Sequence, residues 1–232
     1  MMRTGEKGIC TYCGSFEDLH WDDVAPKNIF EHRDNLITVP CCFPCNNSAS
    51  KDDQYFLLYL ALREDVKQKT EHDWLFEKAK RTLRREEARG LNRALLSNLR
   101  WVPQTTSAGI LLRPALGIPF DGLRAINVVT RTAKGLYFHE QGRRLPETHR
   151  VVSYDELACR NPPPARAEDA RRIINLIGDV AAIPAKKVAG VFAYHWALHP
   201  IDPATSMWLL DFFGGIRFFC KSEPSGNNLL MN

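Results

Sequence analysis

Cys10-Thr-Tyr-Cys13 and Cys42-Phe-Pro-Cys45 are two pairs of thiols, each with two residues between its members. That spacing lets one tight turn aim two sulfurs at one point, and two such turns complete a tetrahedral four-sulfur shell. Soft thiolates with no open position favour a structural ion over a catalytic one, so Zn2+ is expected, with a four-thiolate iron site as the alternative. Cys41 competes with Cys42, but its three-residue spacing to Cys45 matches the first pair less well. Seven cysteines is an odd number, and five of them fall before residue 46. That distribution argues for a metal and against a disulfide framework. Cys159 and Cys220 stand alone.

Between and just after these pairs lie Asp22, Asp23, Pro26, Asn35-Leu36, Asn46 and Lys51. The stretch CTYCG…LHWDDVAPKNIF…DNLITVPCCFPCNNSASKDD resembles the HNH endonuclease family, the ββα-metal or His-Me finger nucleases, over roughly residues 8–55. The family pattern runs C-x2-C, D/E-H-x-x-P, then N-L-x-x-x-C-x2-C followed by Asn or His and a nearby Lys. This chain departs from it at one position: three residues before Pro26 the family carries histidine, and here stands Asp23. The resemblance implies an N-terminal zinc-stapled ββα module that hydrolyses DNA phosphodiester bonds with one Mg2+ or Mn2+ ion. It implies Asp22 and Asn46 as ligands of that ion, Asp23 as the altered general base, Asn35 as tether of the loop carrying the base, and Lys51 as a phosphate contact.

Hard oxygen donors suit Mg2+ or Mn2+. The attacking water needs a base with a pKa near the operating pH, which imidazole at about 6.5 meets far better than a carboxylate at about 3.9. Asp22 beside Asp23 would raise the carboxyl by like-charge repulsion. His20 is a stand-in for the missing base, but three residues before Asp23 on a strand it points to the opposite face. His32 lies in a charged loop, Glu31-His32-Arg33-Asp34. The alternative is a catalytically degenerate HNH-like zinc module that binds nucleic acid or a protein partner without cutting.

The elements that must position these residues are uneven. From Gly8 to Ser50 the chain is punctuated by Gly, Pro, Asn and Asp. Asp52 and Asp53 mark a helix start before Tyr55, Phe56, Leu58, Tyr59 and Leu62 at helical spacing. Thr70–Asp73 reads as a cap for one long helix from Trp74 to about Leu99, with Leu75, Ala79, Leu83, Leu91, Leu95 and Leu99 facing a core. Its other side carries Lys78, Arg81, Arg85 and Arg89. Lys78, Arg81 and Arg85 would track a nucleic-acid backbone; Glu–Arg pairing along the helix is the bland alternative.

Pro103 ends the helical region, and 101–122 reads as an irregular crossing segment. Residues 123–138 favour helix, Asn161-Pro-Pro-Pro is a stiff break, and Glu168–Ile177 is a further helix. Val188–Leu198, Met207–Phe213 and Ile216–Cys220 are apolar, with Gly214-Gly215 as a hairpin turn. The aromatic residues of that hairpin suit a core, while Tyr194, His195, Trp196 and His199 would line a pocket. The expected architecture is α+β: an HNH-like module over 1–68, a helical connector over 69–100, and a C-terminal α+β region with an antiparallel hairpin over 101–232.

The composition of the 232 residues, 44% hydrophobic and 25% charged, is that of an ordinary soluble protein. It excludes a disordered tail, a collagen and a coiled-coil rod. No apolar run reaches the ~18 residues of a membrane span, and residues 1–10 lack the apolar stretch of a secretory signal. A cytoplasmic protein, with DNA as partner and a homodimer as a further option, is the expectation. Residues 1–70 hold 8 Lys/Arg against 11 Asp/Glu, and residues 71–232 hold 23 against 16. Attraction for a polyanion is therefore expected outside the N-terminal segment.

Overall fold

The computed structural model describes residues 8–63, 72–105 and 111–226. It is a mixed α+β structure. Strands β1 (Leu19–Asp23) and β2 (Thr38–Cys42) form an antiparallel hairpin in which His20 faces Cys41 and Asp22 faces Val39. β2 runs directly into helix α1 (Phe43–Ala61). This helix starts eight residues before Lys51, earlier than the sequence pattern indicates. Extended Cys42 caps it and Pro44 occupies its first turn, where a missing N–H costs nothing. The first half of α1 is polar, whereas Tyr55–Ala61 is buried all round.

The expected long helix over 74–99 is two helices, α2 (Asp73–Leu83) and α3 (Arg89–Ser97). Arg85 is extended (φ −72°, ψ 150°) and a short 3-10 turn, Glu86–Ala88, follows it. Thr70, read as part of the cap, lies outside the described residues. The segment expected to be irregular contains strands β3 (Arg100–Thr105) and β4 (Leu111–Gly117), paired antiparallel with a register irregularity between Val102 and Gln104. That irregularity brackets Pro103, which has no N–H for the ladder.

Helix α4 (Gly122–Gln141) fulfils the helical reading of 123–138; Asp121 caps it and Gly142, at φ 65°, closes it. Then come β5 (His149–Asp155), the short α5 (Glu156–Arg160), and α6 (Ala167–Ala181). Strands β6 (Lys186–Val188), β7 (Phe192–Leu198), β8 (Ser206–Phe212) and β9 (Ile216–Pro224) follow. With β5 they form one antiparallel sheet in the order β5-β9-β8-β7-β6.

Both faces of this sheet are covered. Ile173, Ile177 and Val180 of α6 pack on Leu209 and Phe219. On the other face Phe56 and Tyr59 of α1 meet Phe212 and Phe218, with ring centroids 5.2 Å apart for Phe56–Phe212. Trp208, Phe212, Phe213, Phe218 and Phe219 are all buried, which agrees with the core reading of the aromatic hairpin. Double coverage also explains their lack of alternation.

The residues expected to line a second pocket are tied up locally. Tyr194 donates to Glu140, His195 bonds the Ile183 carbonyl, Trp196 stacks on Trp208, and His199 accepts from the amides of Ile201 and Asp202. Among the described residues no helix is long and apolar enough to cross a membrane.

Candidate metal centre and adjoining cleft

The first thiol pair sits on a tight turn closed by Gly14 N–H donating to the Cys10 carbonyl at 2.9 Å. Gly14 adopts φ 81°, and a Cβ there would lie 2.9 Å from Arg144 Nη1. The left-handed φ is what favours glycine here, since the Arg144 guanidinium ends a flexible side chain that can move aside. Thr11 N–H donates to the Pro40 carbonyl, which docks this turn on β2. The second pair straddles the junction of β2 and α1.

The Sγ atoms of Cys10, Cys13, Cys42 and Cys45 lie within 4.8 Å of one another. Zn–S bonds of about 2.3 Å at tetrahedral angles need sulfurs roughly 3.8 Å apart, so the quartet fits one ion such as zinc. Cys13 and Cys42 sulfurs are already 3.5 Å apart. Burial pushes the Cys10 thiol up, but hydrogen bonds from the backbone at Cys13, Cys42 and Tyr12 outweigh it and bring it down to about 6. That favours the thiolate at Cys10, while burial and the neighbouring sulfurs push the Cys45 thiol up, so without an ion the crowded quartet keeps a proton there. Among the described residues this quartet is the one group of three or more His, Cys, Asp or Glu close enough to share an ion. Cys41 is outside it.

On the same hairpin, His20 and Asp22 share a face and Asp23 lies on the other, as strand alternation requires. Asn46 Nδ2 donates to His20 Nε2 at 2.9 Å. The Asp22 carboxylate is bonded to Arg131 of α4, Nη2 to Oδ2, at 2.5 Å. In the donor set expected for Mg2+ or Mn2+, Asp22 Oδ2 is bonded to Arg131 and Asn46 Nδ2 to His20. Among the described residues no two further His, Cys, Asp or Glu side chains are close enough to share an ion with Asp22. Burial raises the Asp22 carboxyl, and Arg131 offsets this only in part.

Asp23 ends β1 opposite Thr38 and is half-buried. Asn35 is exposed at φ 61°, a left-handed turn conformation that Asn tolerates. His32 is exposed.

A cleft of about 530 Å³ opens between α1 and α2. Its α1 wall presents Asn46, Asn47, Ser50 and Asp53, and Lys27 and Arg33 flank it from the loop between the strands. Lys78, Arg81 and Arg85 form the opposite wall. Lys78 is fixed by donating to the Phe30 carbonyl at 3.0 Å, and its ammonium lies over the Trp74 ring. Glu–Arg pairing along this region is limited: Lys80–Glu77 and Arg89–Glu86 pair, while Arg81 and Arg85 have no ion pair among the described residues.

Lys51 is exposed outside this cleft, and its carbonyl accepts from Arg124. Burial pushes Asp53 up to about 6; Asp22 and Asp52 add to this and Arg131 and Lys27 oppose it.

Sequence reasoning missed Lys27, Arg33, Asp53 and Arg131. The first three had a usable signal, since they follow Pro26, the charged loop and the α1 face at Asn46 plus seven. Arg131 had none, being 109 residues from its partner. Comparisons with known protein families, curated proteins and solved structures found no match for this chain.

Proposed function

We propose that this protein binds a nucleic-acid backbone along the cleft between α1 and α2, with the four-cysteine ββα unit as a zinc-stapled scaffold for one wall. The observation that carries this reading is the convergence of Lys27, Arg33, Lys78, Arg81 and Arg85 on one cleft that Asn46 and Asn47 also line. Cations neutralise phosphates, while side-chain amides that keep a free N–H bond phosphate oxygens and set register. The acidic surplus of residues 1–70 does not oppose this, because Asp22 and Asp52 are paired with Arg131 and Arg124.

The test is anisotropy of labelled duplex DNA across a salt series. Each neutralised phosphate contributes a slope of about −0.9 in log K against log salt, so a slope near −3 to −4 is expected. Arg81→Glu with Arg85→Glu should weaken binding at least tenfold, and Lys51→Glu should leave it within about threefold. Unchanged binding in the double variant overturns the reading.

A second reading is HNH-type hydrolysis of the bound phosphodiester with one Mg2+ or Mn2+ and Asp23 as base. The bond from Asn46 to His20 favours it, because it holds the expected Asn46 ligand against the strand that carries Asp22 and Asp23. It requires Arg131 to leave Asp22. Plasmid nicking with Mg2+, Mn2+ or EDTA by wild type, Asp23→His, Asp23→Ala and Asn46→Ala separates the readings. Binding without nicking at any metal sinks hydrolysis. Metal-dependent nicking by wild type that Asn46→Ala abolishes sinks the purely binding protein.

A further inference from the structure

The cleft between α1 and α2 holds two features for which a phosphate chain has no use. The first is Phe43, the opening residue of α1, which is 63% exposed and lines the cleft beside Asn46 and Asn47. It joins no part of the hydrophobic core. Its backbone lies between Cys42 and Cys45, so the quartet fixes where the ring is rooted. The second is Asn28, also in the cleft lining, whose Nδ2 donates to the Asp53 carbonyl at 2.9 Å. Its Oδ1 is buried and has no hydrogen-bond partner among the described residues. That atom can only accept, and a phosphodiester has no N–H or O–H to give it.

Size and charge narrow the occupant. The cleft's volume of about 530 Å³ is that of a small-ligand pocket and too little for a duplex. Its lining carries five cations against one carboxylate, Asp53. A nucleobase supplies what the two remaining features lack: a flat π-face that stacks on an aromatic side chain, and N–H groups along its edge. In a duplex both are spent on neighbouring bases, so only an unpaired nucleotide can offer them.

We propose that the cleft takes an unpaired nucleotide, its base stacked on Phe43 and an edge N–H given to Asn28 Oδ1, while its flanking phosphates lie among the cations. The inference rests on the backbone-binding reading of this cleft and adds the base to it.

The test is anisotropy of labelled oligothymidylate against an oligomer of abasic sites with the same length and charge. Wild type should bind oligothymidylate at least tenfold more tightly, as stacking of one base provides. Phe43→Ala should bring that ratio within about threefold of unity, and Phe43→Trp should preserve it. N3-methylthymine, which lacks the edge donor, should weaken wild-type binding at least threefold. Oligouridylate, with the same donor and an added 2′-hydroxyl, distinguishes RNA from DNA as the source of the nucleotide. Equal wild-type affinity for the base-bearing and abasic oligomers overturns the proposal and needs no variant. So does a Phe43→Ala protein that keeps the full ratio. Should Phe43→Ala lose its zinc, Phe43→Leu repeats the test, keeping apolar bulk without the flat face. Arg81→Glu with Arg85→Glu should weaken both oligomers alike and leave their ratio unchanged. A base preference that persists while this double variant binds as wild type would remove the backbone reading and keep the base site.

Discussion

Neighbouring cysteines on β2 have opposite fates. Cys42 joins the quartet, whereas the Cys41 sulfur meets the Arg131 guanidinium. Cys42→Ser is therefore expected to lower metal content from about one zinc per chain towards zero by elemental analysis. Cys41→Ser should retain the ion; metal loss in Cys41→Ser alone would reverse the assignment. Asp53 makes a separate prediction. Its carboxyl titrates at about 6 in the fold, against about 3.9 in an unfolded chain. The native state thus binds this proton more tightly, so stability from this group rises as pH falls from 6 towards 4, and the penalty is constant above 6. Asp53→Asn should flatten that part of the stability–pH curve and stabilise the protein at pH 7 by about 1–2 kcal/mol. The unscreened shift would give about 3 kcal/mol, and partial exposure reduces it. Urea denaturation at pH 4, 6 and 7.5 reads both effects. The cysteines were legible because thiolate geometry is written in local spacing. Asp22 and Asp53 were visible as residue types, but what holds them is Arg131, and a partner on a distant helix leaves no local trace.

At the level of elements, periodicity found the helices but misplaced their ends. The polar first half of α1 has no apolar stripe, so the pattern became visible only at Tyr55–Ala61; the Pro44 first-turn signal was the missed cue. The break between α2 and α3 has no Gly or Pro to announce it, only extended Arg85. Strands β3 and β4 were hidden because each contains a proline. The approach of α4 to the hairpin is more specific than any of these. Gly135 faces both Val24 methyls, 2.9 and 3.0 Å from the position of an added Cβ, and the Tyr12 hydroxyl at 3.3 Å. Gly135→Val should cost about 2–3 kcal/mol in urea unfolding through overpacking. It should also loosen Arg131 from Asp22. A variant as stable as wild type would mean that the two elements separate without penalty.

For the whole molecule, the cysteine-bearing end and the C-terminal sheet share one core. Phe56 touches Phe212 and Phe218, the Tyr55 hydroxyl accepts the Asp121 amide at 2.5 Å, and Asp52 pairs with Arg124. Phe56→Ala should cost about 3–5 kcal/mol. Residues 1–68 expressed alone with zinc would expose Tyr55–Ala61, buried in the full chain, and should bind a hydrophobic dye more strongly than the full chain. A dispersed amide spectrum from a monomeric fragment would contradict this. The aromatic hairpin strands and the α+β class could be read from the sequence, whereas β5, β6 and the five-strand order could not. The merging of both ends through α1 could not, because a pattern shows that a face is apolar but not what covers it. This helix, 19 residues and about 28 Å long, therefore has two separate sources of protection. The cysteine quartet lies at its first turn and the C-terminal sheet covers its last turns, so an ion held by the quartet would order one end and the sheet the other. Stripping the metal should accelerate deuterium uptake at amides before about Asp53 while those of Tyr55–Ala61 still exchange at the rate of global unfolding. One continuous helix would then report two opening energies, and removing the ion would shorten it from one end.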